Sequence, residues 1–69
     1  APKVYARIVR YRRALALLDA GARSLADVAL EAGYYDQSHM TTEFRELGGL
    51  TPRDFLAAHY PGSTTAVEF

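Results

Sequence analysis

The sequence has no cysteine and no tryptophan, three prolines and a single methionine. Without cysteine there are no disulfides, no thiolate-bound zinc, no iron–sulfur cluster and no thiol nucleophile, and the lack fits a reducing cytoplasm, the compartment expected here. Long apolar runs are missing as well. The longest covers residues 14–18, against the ~20 residues that a membrane-spanning helix needs. No basic start leads into an apolar stretch and a small-residue cleavage site, so neither a membrane partner nor a signal peptide is expected. Nor does one sign of charge prevail: eight lysines and arginines balance eight acids. At 69 residues and 7.6 kDa the chain is sized for one core, which excludes a multidomain enzyme. A chain of this size buries only about 60% of the surface it exposes when unfolded. An apolar share of 49% is nonetheless too high for a disordered chain.

What is present is unevenly distributed. Lys3, Arg7, Arg10, Arg12 and Arg13 place five positive charges in the first thirteen residues with no acid among them, whereas acids dominate from Asp19 onward. The N-terminal segment is a local basic patch of the kind that meets phosphate, with Arg7 and Arg10 as candidate contacts to a nucleic-acid backbone.

Local punctuation divides the chain into helices and offers no alternating β pattern, so the expected fold class is all-α. The first helix runs from about Pro2 to Asp19 or Ala20, with Gly21 as its left-handed end. Val4, Ile8, Tyr11, Leu15 and Leu18 recur at 4,3 spacing as its apolar stripe, and Lys3, Arg7, Arg10 and Arg13 follow the same spacing on an adjacent face. Ser24 with Asp27 reads as a capping box that starts a short helix through Leu25, Val28, Ala29 and Ala32 to Gly33. Asp36 is an N-cap candidate for the next helix, where Met40, Phe44 and Leu47 form the apolar side up to Gly48-Gly49. Thr51, Pro52 and Asp54 combine an N-cap, a first-turn proline and an acid at the third position, opening a last helix to about His59. Residues 61–69 read as a flexible tail.

A short helix, a glycine turn and a longer helix form the arrangement of a DNA-binding helix-turn-helix, with Ala29 small enough for close crossing four residues before Gly33. On the longer helix, Gln37, Ser38, Thr41, Thr42 and Arg45 make a strip of hydrogen-bonding side chains without an acid, the residue types that read base edges and reach phosphates. His39, Glu43 and Glu46 fall on a third side, and His39 is a further candidate phosphate contact.

These residues carry a resemblance. The run LADVALEAGYYDQSHM over residues 25–40, then Phe44-Arg45, then Gly49-Leu50-Thr51-Pro52 with Phe55 three residues on, is similar to the second helix-turn-helix of AraC/XylS-type transcription regulators. The resemblance extends over roughly residues 2–59, with residues 1–20 as a long linker helix and residues 21–60 as the helix-turn-helix and a packing helix. It implies a homeodomain-like, all-α unit of a bacterial regulator, usually an activator, whose two helix-turn-helix units enter successive major grooves of double-stranded DNA. It further implies base reading by Gln37, Ser38, Thr41 and Thr42, with Arg45 near the backbone. The implied partners are DNA, RNA polymerase and the missing N-terminal unit of the same protein. A long basic residue common late in the reading strip is Thr42 here.

Other readings carry less. Catalysis needs a converging nucleophile, base and oxyanion donors, and no such cluster is spaced along these helices, so neither enzyme nor cofactor is expected. His39 and Glu43, four apart, fall short of a zinc ligand set, so no metal is expected. His59 fits a helix C-terminus, where it meets exposed carbonyls. Tyr5, Tyr34, Tyr35 and Tyr60 fit turn and packing roles. The alternative function is a protein-interaction module docking through the Tyr5, Val9 and Leu17 side of the first helix.

Overall fold

A computed structural model of the chain describes residues 2–21 and 24–59. Over these residues the protein is built of four helices: α1 (Pro2–Asp19), α2 (Leu25–Ala32), α3 (Gln37–Gly48) and α4 (Pro52–His59). The all-α expectation holds. The expected tail at residues 61–69 and the packing role expected of Tyr60 lie outside the described residues.

Each short helix starts where a side chain can satisfy an early N–H. The Ser24 hydroxyl accepts from the Asp27 N–H at 3.1 Å, Asp36 Oδ1 from the His39 N–H at 2.8 Å, and Thr51 Oγ1 from the Asp54 N–H at 3.1 Å. These local bonds set the boundaries before any tertiary packing is considered. The end of α2 is equally local. Gly33 takes φ +103°, a conformation that strains any residue with a Cβ. Its N–H donates to Leu30 O at 3.2 Å while the Tyr34 N–H donates to Ala29 O at 2.9 Å. This paired closure reverses the chain and drives the residue after the glycine inward. Tyr34 is accordingly buried, and Tyr35, one residue on, is 86% exposed.

α1 lies across both α2 and α3, α2 packs on α3, and α4 closes over α3. Ala14, Leu18, Leu25, Val28, Ala29, Ala32, Tyr34, Met40, Phe44 and Leu56 form the core. Phe44 is its largest fully buried side chain. Its ring meets Tyr11 of α1 edge-on at 4.9 Å between centroids and Phe55 of α4 at 6.5 Å. The crossing of α1 over the end of α3 is close: a Cβ at Gly48 would collide with the Tyr11 hydroxyl.

Three sequence expectations need correction. Of the stripe expected on α1, Tyr11, Leu15 and Leu18 face the core, but Val4 and Ile8 are 53% and 37% exposed, and the fully buried residues are Ala14 and Leu18. At ~100° per residue the side facing the core runs through Arg7, Tyr11, Ala14 and Leu18, rotated by about 60° from the expected stripe. In α3, Leu47 is 40% exposed, and Glu43 is buried beside Met40 and Phe44 instead. Tyr5, for which a packing role is expected, is exposed, whereas Tyr35 stands in the turn as expected.

Phe44→Ala should remove the ring on which α1 and α4 both rest, costing ~3–5 kcal/mol, which is comparable to the whole stability of so small a domain. Thermal melting followed by circular dichroism checks this. A cooperative melt within a few degrees of the parent would mean that Phe44 is not the anchor described.

Candidate nucleic-acid interface

Burial of Met40, Glu43 and Phe44 against α1 and α2 turns the opposite side of α3 outward. That side carries the expected strip. Ser38, Thr42 and Arg45 are exposed, and Gln37 and Thr41 are half-buried along its edge. None of the five makes a side-chain hydrogen bond or ion pair among the described residues. Their donors and acceptors are therefore uncommitted, as a surface that exchanges water for another polar partner requires.

The other flank of α3 is committed throughout. Glu43, the one buried charged residue among those described, accepts a two-pronged contact from Arg10 of α1, Nε to Oε1 at 3.2 Å and Nη2 to Oε2 at 2.6 Å. Arg7 Nε stands 3.3 Å from Glu43 Oε2, and Arg7 Nη2 also pairs with Glu46 Oε1. Residues 7 and 10 thus meet residues 46 and 43 in reverse order, so two arginines one turn apart on α1 match two acids one turn apart on α3.

His39 is held as well. Its Nδ1 accepts from the Tyr35 N–H at 3.1 Å, its Nε2 lies 3.4 Å from Glu43 Oε2, and its ring stands edge-on to Tyr34 at 5.3 Å. Sequence reasoning offered Arg7, Arg10 and His39 as backbone contacts; the structure engages all three within the chain. It missed Glu43 as their common partner. The available signal was the matching three-residue spacing of opposite charges, Arg7 and Arg10 on one helix and Glu43 and Glu46 on another.

Electrostatics follow from this geometry. Burial pushes the Glu43 carboxyl up, but the Arg10 hydrogen bond and the charges of Arg10, His39 and Arg7 outweigh burial and hold it below its ordinary 4.5. The hydrogen bond to Glu43 likewise raises Arg10, against burial. Burial, then the Glu43 charge, push Tyr34 up to about 12; its hydroxyl is enclosed without a hydrogen-bond partner among the described residues. His59 behaves as expected of a helix end, with Nδ1 3.0 Å from Phe55 O. Among the described residues no group of three or more histidines or acids could hold a metal, and no helix is long and apolar enough to cross a membrane.

Two helices joined by a glycine turn, the second presenting an uncommitted polar strip, define a helix-turn-helix unit. A family model described as a helix-turn-helix domain, the AraC-type one, matches residues 1–58, and the chain belongs to that family. No curated protein and no solved structure gave a match. The family is a DNA-binding regulatory domain rather than a catalytic one, and double-stranded DNA is the partner it implies.

The charge network makes stability pH-dependent in a defined direction. Because Glu43 is more acidic folded than unfolded, its contribution is complete above the ordinary value of 4.5 and is lost as pH falls through the lower folded value. Tyr34 works at the other end: its contribution is full below 10.0 and is lost as pH rises toward about 12. Urea midpoints measured across pH should fall on both sides, with Glu43→Gln flattening the acid limb and Tyr34→Phe the alkaline one. Limbs of unchanged steepness in these variants would assign the losses to other groups.

Proposed function

We propose that this chain is one of the two DNA-reading halves of a bipartite bacterial transcription regulator, most often an activator in this family, and that α3 enters the major groove. The observation that carries the reading is the uncommitted strip on α3 set against a fully paired opposite flank. Gln37, Ser38, Thr41 and Thr42 are the base readers, since an amide and hydroxyls can match the donor and acceptor pattern of base edges. Of the four residues expected on phosphate, Arg45 alone lacks an intramolecular ion pair or hydrogen bond among the described residues. Arg45 is therefore the backbone contact, while Arg7, Arg10 and His39 reach phosphate only by releasing the partners they have. The protein so read is non-enzymatic and cytoplasmic, with RNA polymerase as a further partner.

A second unit is supported by α1. Its exposed apolar side chains, Val4, Tyr5 and Ile8, cluster toward the N-terminal half, and these suit packing against another folded unit. The docking side anticipated from Tyr5, Val9 and Leu17 is reduced, because Leu17 packs against the core. One reading helix of twelve residues spans only ~18 Å and reaches part of one groove, so this half alone should bind weakly and with strong salt dependence. Linked to a second unit, it should gain ~10²–10⁴-fold through effective concentration. Paired titrations at one salt concentration, residues 1–69 against the same chain extended N-terminally by a second unit, test this. Tight, selective binding by the 69-residue chain as a monomer would overturn the bipartite reading, and equal weakness of both would favour the interaction module.

Within a binding-competent protein, Gln37→Ala should relax preference at one base position, whereas Arg45→Ala should weaken all sequences alike and lower the salt slope by ~1. An unchanged salt slope for Arg45→Ala would remove it from the phosphate contacts.

A further inference from the structure

A polar network at the interface between α1 and the helix assigned to DNA reading is not explained by stability. Burying Glu43 against two half-buried arginines costs desolvation that the pairing only roughly recovers, and apolar side chains of similar size would serve the fold as well or better. What a buried fork-shaped pair supplies and an apolar contact does not is direction. Met40 and Phe44 fix how deep α3 sits, but dispersion and hydrophobic contacts tolerate a small roll of the helix about its axis. The strip side chains lie ~5–6 Å from that axis, so a roll of about 20° carries their tips by ~2 Å. That displacement exceeds the width of the hydrogen-bond distance range.

Arg10 is built to prevent such a roll. Its aliphatic stem runs over the turn glycine, with Cγ and Cδ 3.6 and 3.8 Å from where a Gly33 Cβ would stand. Its guanidinium sits 5.7 Å from the centre of the Tyr34 ring and closes on Glu43 by two nitrogens. One side chain of α1 therefore touches the turn and the reading helix together. Arg7 and His39 brace the same carboxylate from either side.

We propose that Arg10 and Glu43 are positioning residues for base recognition: the Arg10 fork, seated across the turn and closed on Glu43, fixes the rotation of α3 and hence the azimuth of the strip Gln37–Ser38–Thr41–Thr42. The inference rests on α3 being the reading helix. Neither residue touches DNA; both act through the helix they hold.

The test uses Arg10→Lys, which keeps the charge and the stem but loses the fork, with Arg12→Lys on the exposed side of α1 as control. Duplexes are selected from a random pool by the 69-residue chain at low salt. Binding to the selected duplex and to a scrambled one of equal composition is then measured by fluorescence anisotropy, at temperatures where circular dichroism shows each variant folded. Arg10→Lys should lose about five-fold in preference for the selected duplex, the lower end of what one base contact supplies. Its affinity for the scrambled duplex and its salt slope should stay unchanged, and Arg12→Lys should keep its preference. Glu43→Gln, which retains size and one acceptor oxygen, should lose preference in the same way and serves if Arg10→Lys does not fold. Retained preference in a folded variant overturns the proposal and leaves the DNA-reading assignment standing. An equal drop on both duplexes makes Arg10 a phosphate contact instead, and failure of both variants to fold makes the pair a requirement of the fold, each overturning the proposal. A parent chain that binds both duplexes measurably at low salt with no preference between them overturns the reading of α3 itself, and the proposal with it.

Discussion

Phe44 has to be buried, and burying it decides which way α3 faces. The helix has only twelve residues and only two fully buried apolar side chains, Met40 and Phe44, so its apolar side is narrow. With Tyr11 against one edge of the Phe44 ring and Phe55 against the other, α1 and α4 are both organised around this one residue. The turn at Gly33 delivers α3 to that contact, and the caps at Asp36 and Thr51 begin the helices on either side of it. An outward strip without internal hydrogen bonds or ion pairs among the described residues is the consequence: residues on the side of the helix away from Phe44 face outward, with only Gln37 and Thr41 half-buried at its edge.

A formally neutral chain is an unpromising binder of a polyanion when charge is only counted. Pairing changes the count. Glu43 and Glu46, the acids nearest the strip along α3, face Arg7 and Arg10 of α1, so their field toward the strip is largely cancelled at short range. Arg45 is left as the charge on the strip itself. Local neutralisation of this kind lets a domain of zero net charge present a surface with little repulsion, at the cost of committing two of its own cations to internal ion pairs.

Helix boundaries were legible in the sequence because capping is a matter of residues three or four apart. Ser24, Asp36, Thr51 and the turn at Gly33 all declare themselves by type and spacing, and a resemblance spanning most of the chain agreed with them. The faces were less legible. A 4,3 pattern of apolar residues marks a stripe on α1 only if the partner surface is apolar along its whole length, and here the partner is α3, whose contribution near Arg7 and Arg10 is a carboxylate. The helix therefore buries arginine stems where Val4 and Ile8 would have gone. Leu47 failed in part: its angle matches Met40 and Phe44, yet it is 40% exposed, because α1 meets the end of α3 at Gly48 and leaves the side chain before it only partly covered. For His39 the deciding partner was a backbone N–H in a turn whose geometry depends on Gly33, which no spacing rule reports. The base-reading and phosphate roles rest on residue type, exposure and freedom from internal partners.

The same helix that holds α3 also carries the exposed apolar cluster of Val4, Tyr5 and Ile8, and these two features lie within one turn of each other: Ile8 sits between Arg7 and Val9, and Arg10 is two residues on. A unit docked on Val4 and Ile8 would press on the segment of α1 whose adjacent face grips Glu43. α1 is continuous through this region, with a hydrogen-bonded backbone that transmits rotation as well as position. A roll imposed on α1 would therefore reach α3 through Arg10 and Arg7, whereas the apolar contacts of Ala14 and Leu18 farther along would let it slip. On the proposed assignments, the azimuth of the reading strip is shared between the two halves of the protein, and the ion-pair cluster is the joint through which they agree on it.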